Sequence, residues 1–357
     1  MSPPKRHHYL PEFYLKGFTR DNLLWVFDRN TGEYRRQPPR NTAVIGHYYT
    51  TSTETGEKDY SIEKHLSKIE GEAKPTIEKL DAGEQISAEE RVGLAYFLAL
   101  LLSRTPKHAR EFEEVGDAVH KSLAKDMIPT VEAAAELLRK SGKDRSVTPE
   151  SMFRFVHEEQ FQMKAPRDFT LNAMLDQSAR FYRYLAIMDW LVVHTDGHSS
   201  FVTTDSPLGY ILDDDQLRSR EPVLGFASDK ISKLVPLTCR TALLIAGYGA
   251  RIGHYSVDRN QVREINLAVT VECDRFVIGR DESLLRSVVP ASKADRGNPG
   301  TRMRVENVPH PTDPRRSYLV SRRVRADEPG TPLPLEMVNR YFTTAKKSEK
   351  ASATNDT

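Results

Sequence analysis

A chain of 357 residues with 38% hydrophobic and 29% charged residues can bury one large core or two modest ones, and it is too apolar to be disordered. Its formal net charge of +2 excludes a global field that would gather a polyanion or an acidic membrane. The charge is uneven, however: residues 291–325 carry nine Lys or Arg against three acids, and residues 1–40 carry eight against four.

The first sixty residues read as β-rich. Leu23–Phe27 forms a strand, Asp28–Gly32 a turn and Glu33–Arg36 the return strand, with Asn30 and Gly32 supplying the positive φ angles of a tight hairpin. Pro38-Pro39 ends the pairing because proline has no N–H to give to a ladder. From Ser61 the period becomes helical: Ile62, Leu66, Ile69, Ala73, Ile77 and Leu80 recur at three- and four-residue steps, with Pro75 as a kink or break. Ser87-Ala-Glu-Glu90 is a capping box opening a helix through Leu102 that is apolar almost all round, hence central to the core. Further helices are predicted over 107–125, 130–141, 149–163 and 168–185. Strands return at Met188–His194, Ser200–Thr204, Ser232–Val235 and Ala242–Ala246, and a helix over 258–270 separates them from a last strand, Arg275–Gly279.

This pattern predicts an α+β fold with one domain over 1–290: β-rich over 1–60, helical over 61–187, mixed over 188–290. The N- and C-terminal strands are placed in one shared sheet. A basic, Pro- and Arg-rich extension over 291–345 follows, with a helix near 333–342 and a disordered tail over 346–357. Cys239 and Cys273 are too few for a disulfide framework and form no Cys-x-x-Cys pair, so reduced, buried thiols are expected. No apolar run follows the basic N-terminus, and Val92–Leu102 falls short of the ~20 residues that span a bilayer, which makes the cytoplasm the expected compartment.

The stretch His7–Phe18 concentrates aromatics, two histidines and a proline. An imidazole that titrates near neutral pH suits acid–base work, which marks His8 as a candidate; the plainer reading has the aromatics anchoring the terminus and His7 solvated. His8-Tyr-Leu-Pro11 followed by Tyr14-Leu15-Lys-Gly-Phe18 resembles the opening of a bacterial family catalogued as domain of unknown function 4238. The resemblance continues through Val26-Phe-Asp28, Ile62-Glu63, Ile69-Glu70, Arg104-Thr105-Pro106, Phe201–Pro207 and Leu234–Leu237, and so spans most of residues 7–280. It implies a free-standing protein of one main domain and confers no activity.

Glu63 and Glu70, seven residues apart, share nearly one azimuth of a helix at the border of its apolar stripe. Paired acids there suit a divalent cation, Mg²⁺ or Mn²⁺, or else ion pairs with Lys or Arg. Arg104, directly after the apolar helix, either snorkels outward or is held in a semi-buried pocket, where it grips an anion or partners one of these glutamates. Asp205 sits where a strand ends, a place for an active-site carboxylate and equally for a turn residue that satisfies backbone N–H groups. No dinucleotide fingerprint, phosphate loop, nucleophile elbow or His-Glu-x-x-His pair is present.

Two expectations follow. In the first, the protein is a metal-dependent hydrolase of nucleic acid or another phosphoester. His8, Arg104 and Asp205 are catalytic, Glu63, Glu70 and Asp205 hold the cation, and the basic segments meet the nucleic acid. In the second it is a non-enzymatic binding or regulatory module of a stress or phage response, with the same residues forming a structural network. Convergence of His8, Glu63, Arg104 and Asp205 on an open cleft would favour the first.

Overall fold

Strand β1 (Arg6–His8), helix α1 (Glu12–Lys16) and the hairpin of β2 (Leu24–Asp28) and β3 (Glu33–Gln37) open the fold. The computed structural model describes residues 6–52, 55, 58–141, 146–211, 232–292, 301–309 and 317–325. The hairpin is where the apolar run predicts it, but of the two turn residues only Gly32 takes a positive φ, 73°. After β4 (Val44–Gly46) and the short pair β5 (Thr51–Ser52) and β6 (Lys58–Asp59), the chain becomes helical: α2 (Ser61–Asp81), α3 (Ala88–Ser103), α4 (Pro106–Met127), α5 (Val131–Ser141), α6 (Pro149–His157) and α7 (Arg167–Ile187). Strands then alternate with two helices: β7 (Met188–Thr195), β8 (Thr203–Thr204), β9 (Gly209–Ile211), β10 (Ser232–Pro236), β11 (Thr241–Tyr248), β12 (Ile252–Val257), α8 (Arg259–Val271), β13 (Phe276–Gly279) and α9 (Glu282–Ala291).

The fold is α+β, with strands at both ends and helices between, and the shared sheet is real. One four-stranded sheet has the order β3-β2-β13-β8, so the N-terminal hairpin pairs antiparallel with the last strand of the family-like region, Phe276 opposite Asp28. A five-stranded sheet, β12-β7-β11-β10-β9, is antiparallel except for the β12–β7 pair. Its two faces are both covered. Met188, Trp190 and Val192 of β7 face the main core, which holds α3, the apolar stripe of α2 and the aromatic anchors Tyr14 and Phe18. Val193 faces α8 through Val262 and Val269. The Ser87–Glu90 capping box is present, and α3 occupies the middle of the core as its all-round apolar sequence requires.

Arg91, the polar exception on α3, is 6% exposed and staples the helix to the sheet. Its Nε donates to the Ala186 carbonyl at 2.7 Å, its Nη1 to Ala250 at 3.1 Å, and its guanidinium lies 4.5 Å from the Trp190 ring.

Several expectations are corrected. α2 runs through Pro75 without a break, because Pro75 and the Gly71 one turn earlier are both exposed and the lost hydrogen bond falls on the solvent side. α6 stops at His157, short of 163. Glu159 turns left-handed (φ 54°), and the Gln160 amide closes back on the Phe155 carbonyl at 3.0 Å, a Schellman closure. The strand expected at 200–204 is reduced to β8, and β12 and α9 were not predicted. Within the basic extension, β14 (Thr301–Pro309) and β15 (Ser317–Arg325) pair antiparallel. The helix expected near 333–342 and the tail 346–357 lie outside the described residues. Among the described residues no helix is long and apolar enough to cross a membrane.

Asp28 joins the two ends of the chain. It is 1% exposed and accepts from Arg275 Nε at 3.1 Å and Nη2 at 2.9 Å, and from Arg35 Nη1 at 3.0 Å. Burial works to raise its carboxyl, but the two guanidiniums and the Asn30 amide hold it below the usual carboxylate range. Asp28→Ala is expected to cost about 1.5–3 kcal/mol in chemical denaturation, since it removes charge-assisted bonds across the seam while the partly exposed Arg275 and Arg35 side chains regain water. Glu72→Ala, which removes an exposed helical pair with Lys68, is expected to stay within about 0.5 kcal/mol.

Candidate functional site

Alternation along β1 decides which histidine is buried, and it reverses the expectation. His7 is 2% exposed, not solvated; its Nδ1 accepts the Tyr49 amide at 2.9 Å and its ring stacks on Tyr49. With Nδ1 an acceptor, Nε2 carries the proton and points it at Glu63 Oε2, 3.3 Å away. His8 is half-buried. Burial pushes its imidazole below the ordinary range, against Glu12, the Thr42 backbone and Glu70, and its Nδ1 is enclosed without a partner.

Arg104 caps the C-terminus of α3 and is 2% exposed. Its Nη1 donates to Glu70 Oε1 at 2.7 Å, which fulfils the expectation of a carboxylate-held arginine in a buried pocket. Its Nε and Nη2 are enclosed without partners. Thus Glu63 and Glu70 face the N-terminal strand as ion pairs with His7 and Arg104, with His8 close enough to feel Glu70 but in no ion pair among the described residues, and not along an open cleft. Of the two readings of Glu63 and Glu70, a shared cation or ion pairs with Lys or Arg, Glu70 takes the second with Arg104, while Glu63 faces His7. Among the described residues no group of three or more His, Cys, Asp or Glu side chains is arranged to hold a metal ion.

Asp205 lies apart from this network, in the lining of a cleft with a volume of about 390 Å³. It follows β8 directly and bridges to the entry of β13. Its amide donates to the Phe276 carbonyl at 3.0 Å, its Oδ1 accepts the Asp274 amide at 3.0 Å and its Oδ2 the Arg275 amide at 2.8 Å. The expectation that this carboxyl satisfies backbone N–H groups therefore holds, but the amides come from 69 and 70 residues away and not from a local turn. Burial and the neighbouring Asp274 outweigh those amides and push the Asp205 carboxyl up to about 7.

Tyr9, Asn41, Arg110, Asp274 and Arg275 also line the cleft, and Pro106 brings the start of α4 to its edge. Arg110 bridges to Asp274, and Arg275 is held from behind by Asp28. Burial pushes the Tyr9 hydroxyl up, with Asp205 adding to it, so it is a neutral proton donor. Sequence reasoning missed Tyr9, Arg110, Asp274 and Arg275. The sole signal was that Asp274-Arg275 opens the last strand, where a shared sheet would bring it to the end of β8.

Residues 6–283 match the family described as Protein of unknown function (DUF4238). No curated protein and no solved structure matches the chain.

A carboxyl raised to about 7 from 3.8 keeps a proton in the folded state that the unfolded chain has already lost. Its contribution is therefore present below about pH 4 and is lost as the pH rises through 7. Asp205→Asn does not titrate. Its stability relative to the wild type is expected to improve by about 4 kcal/mol between pH 4 and pH 8 in urea unfolding; a difference that is flat with pH overturns the assignment.

Proposed function

This chain belongs to the DUF4238 family, and we propose that it is a hydrolase of small phosphoesters working in the cleft that Asp205 helps to line. The observation that carries the reading is a wholly buried carboxyl poised at about 7 in a polar cleft of about 390 Å³, the size of a nucleotide or sugar phosphate. Near neutral pH that carboxyl is populated in both protonation states, as acid–base catalysis requires. Arg110 and Arg275 supply cationic groups for the phosphoryl oxygens.

In this reading water adds to phosphorus and the ester P–O bond breaks. The departing oxygen takes the proton of Asp205, and the proton released by the attacking water returns to the Asp205 carboxylate. Tyr9 donates a hydrogen bond within the same cleft. The His7–Glu63 and Arg104–Glu70 pairs serve as the frame behind the N-terminal strand, so His8, Glu63, Glu70 and Arg104 are assigned no contact with the substrate. Asp205 and Asp274 alone fall short of a full Mg²⁺ or Mn²⁺ ligand set, and no step is routed through a cation. Nucleic acid would engage through a strand end or a single nucleotide, drawn by the basic segments 1–40 and 291–325.

A second reading, a binding module without turnover, is favoured by one observation. Both Asp205 oxygens already accept backbone amides, as a purely structural carboxyl would. The two readings separate in one experiment. Purified protein is assayed on mononucleotides, aryl phosphate mono- and diesters, and single-stranded DNA and RNA, with Mg²⁺, with Mn²⁺ and with EDTA, alongside nucleotide binding by calorimetry. Hydrolysis that falls at least 100-fold in Asp205→Asn with the fold retained supports the hydrolase. Binding lost in Arg110→Ala without any turnover supports the module.

A further inference from the structure

A second set of polar side chains lies where the C-terminus of α2 meets the five-stranded sheet. Asp81, the last residue of α2, accepts three bonds: Thr238 Oγ1 at 2.6 Å and Thr241 Oγ1 at 2.7 Å on Oδ1, and Arg240 Nη2 at 2.5 Å on Oδ2. Thr241 Oγ1 is also 3.2 Å from His194 Nδ1, and His194 Nε2 is 3.0 Å from His254 Nδ1. The two imidazole planes are nearly parallel, 13° apart, with centroids at 5.3 Å, so the rings meet edge to edge through that bond. The last atom of the series, His254 Nε2, is enclosed and has no partner.

The carboxylate end fixes every proton in this series. An ionised Asp81 only accepts, so Thr241 must donate to it, which leaves the Thr241 oxygen free only to accept. His194 must then carry its proton on Nδ1 and offer a lone pair on Nε2. His254 must in turn donate from Nδ1, which leaves Nε2 as a bare lone pair. We propose that Asp81, Thr241, His194 and His254 form a directed proton relay whose accepting end is His254 Nε2, an acid–base centre separate from the Asp205 cleft.

Its balance is simple. A proton that reaches His254 Nε2 makes an imidazolium. The His254 Nδ1 proton can pass to His194 Nε2, so the one charge is shared between the two rings. Asp81, which burial would raise but Thr238, Thr241 and Arg240 hold below the usual carboxylate range, stays ionised and keeps the series directed. A second proton would set two imidazolium rings side by side, so the pair takes up one. The charged and titratable groups around His194 are Asp81 from α2, with Arg240 on its far side, and His254 from β12; the nearby Cys239 thiol is pushed up by burial and is neutral. Burial, then His254, hold His194 below the ordinary imidazole range. The unfolded chain therefore binds its proton first, and the stability of this junction falls as the pH drops below about 6.5.

Long-range ¹H–¹⁵N spectra of the full chain at pH 8 test the relay directly. Both His194 and His254 are expected as the Nδ1–H tautomer, the opposite of the Nε2–H form that a free histidine side chain favours. On acidification their resonances are expected to move together with one midpoint. Thr241→Val is expected to flip His194 to Nε2–H. An Nε2–H proton on wild-type His254 at pH 8, or two independent titrations, overturns the proposal whether or not the variant folds.

Discussion

A carboxylate buried to 1% exposure is tolerable only where cations meet it, and Asp28 is met by Arg275 and Arg35. The first guanidinium stands at the entry to β13 and the second on β3, so the charge cluster sits across the seam where the two ends of the domain join. Both guanidiniums also lie against the Phe276 ring, at 4.6 Å and 5.4 Å. Fixing the Arg275 side chain fixes its backbone, and that backbone presents the amide that holds Asp205. The cleft is thus organised from behind, by a residue that does not line it.

Burial moves the two acid–base centres in opposite senses for one reason, the penalty on whichever form is charged. It keeps the proton on Asp205 and keeps it off His194. Near pH 7 Asp205 thus still holds its proton in about half the molecules, and His194 is neutral, each through a different half of the fold. The Asp205 centre depends on the four-stranded sheet. The His194 centre depends on the docking of α2 against the five-stranded sheet.

Much of the scaffold was legible because short-range chemistry writes it. Ser87 and Glu90 announce the start of α3, and the stripe from Ile62 to Leu80 announces α2. The union of the terminal strands followed from the order of elements alone. The site was legible only in part. A pairing of Arg104 with Glu63 or Glu70 was one of the open readings, because an arginine behind an apolar run needs a counter-charge, but which glutamate it meets was not legible. The choice between His7 and His8 was not legible, since adjacent residues in a strand point opposite ways and the sequence does not state which face is inward. Asp274, Arg275 and Arg110 were missed because their meaning arises only when β13 comes to rest beside β8. The His194–His254 pair, 60 residues apart, likewise becomes a pair only through the parallel register of β12 on β7.

The pairing of β2 with β13 also bears on how the molecule is made. Asp28 and Arg275 are 247 residues apart, so at about 5–20 residues per second the hairpin leaves the ribosome roughly 10–50 seconds before its partner strand exists. Through that interval β2 has one unpaired edge, and the Asp28 carboxylate has Arg35 but not yet Arg275 as a partner. That carboxylate is itself a safeguard, because a charge on an open strand discourages pairing with another nascent chain. The residue that later locks the domain shut first protects it from closing on the wrong partner.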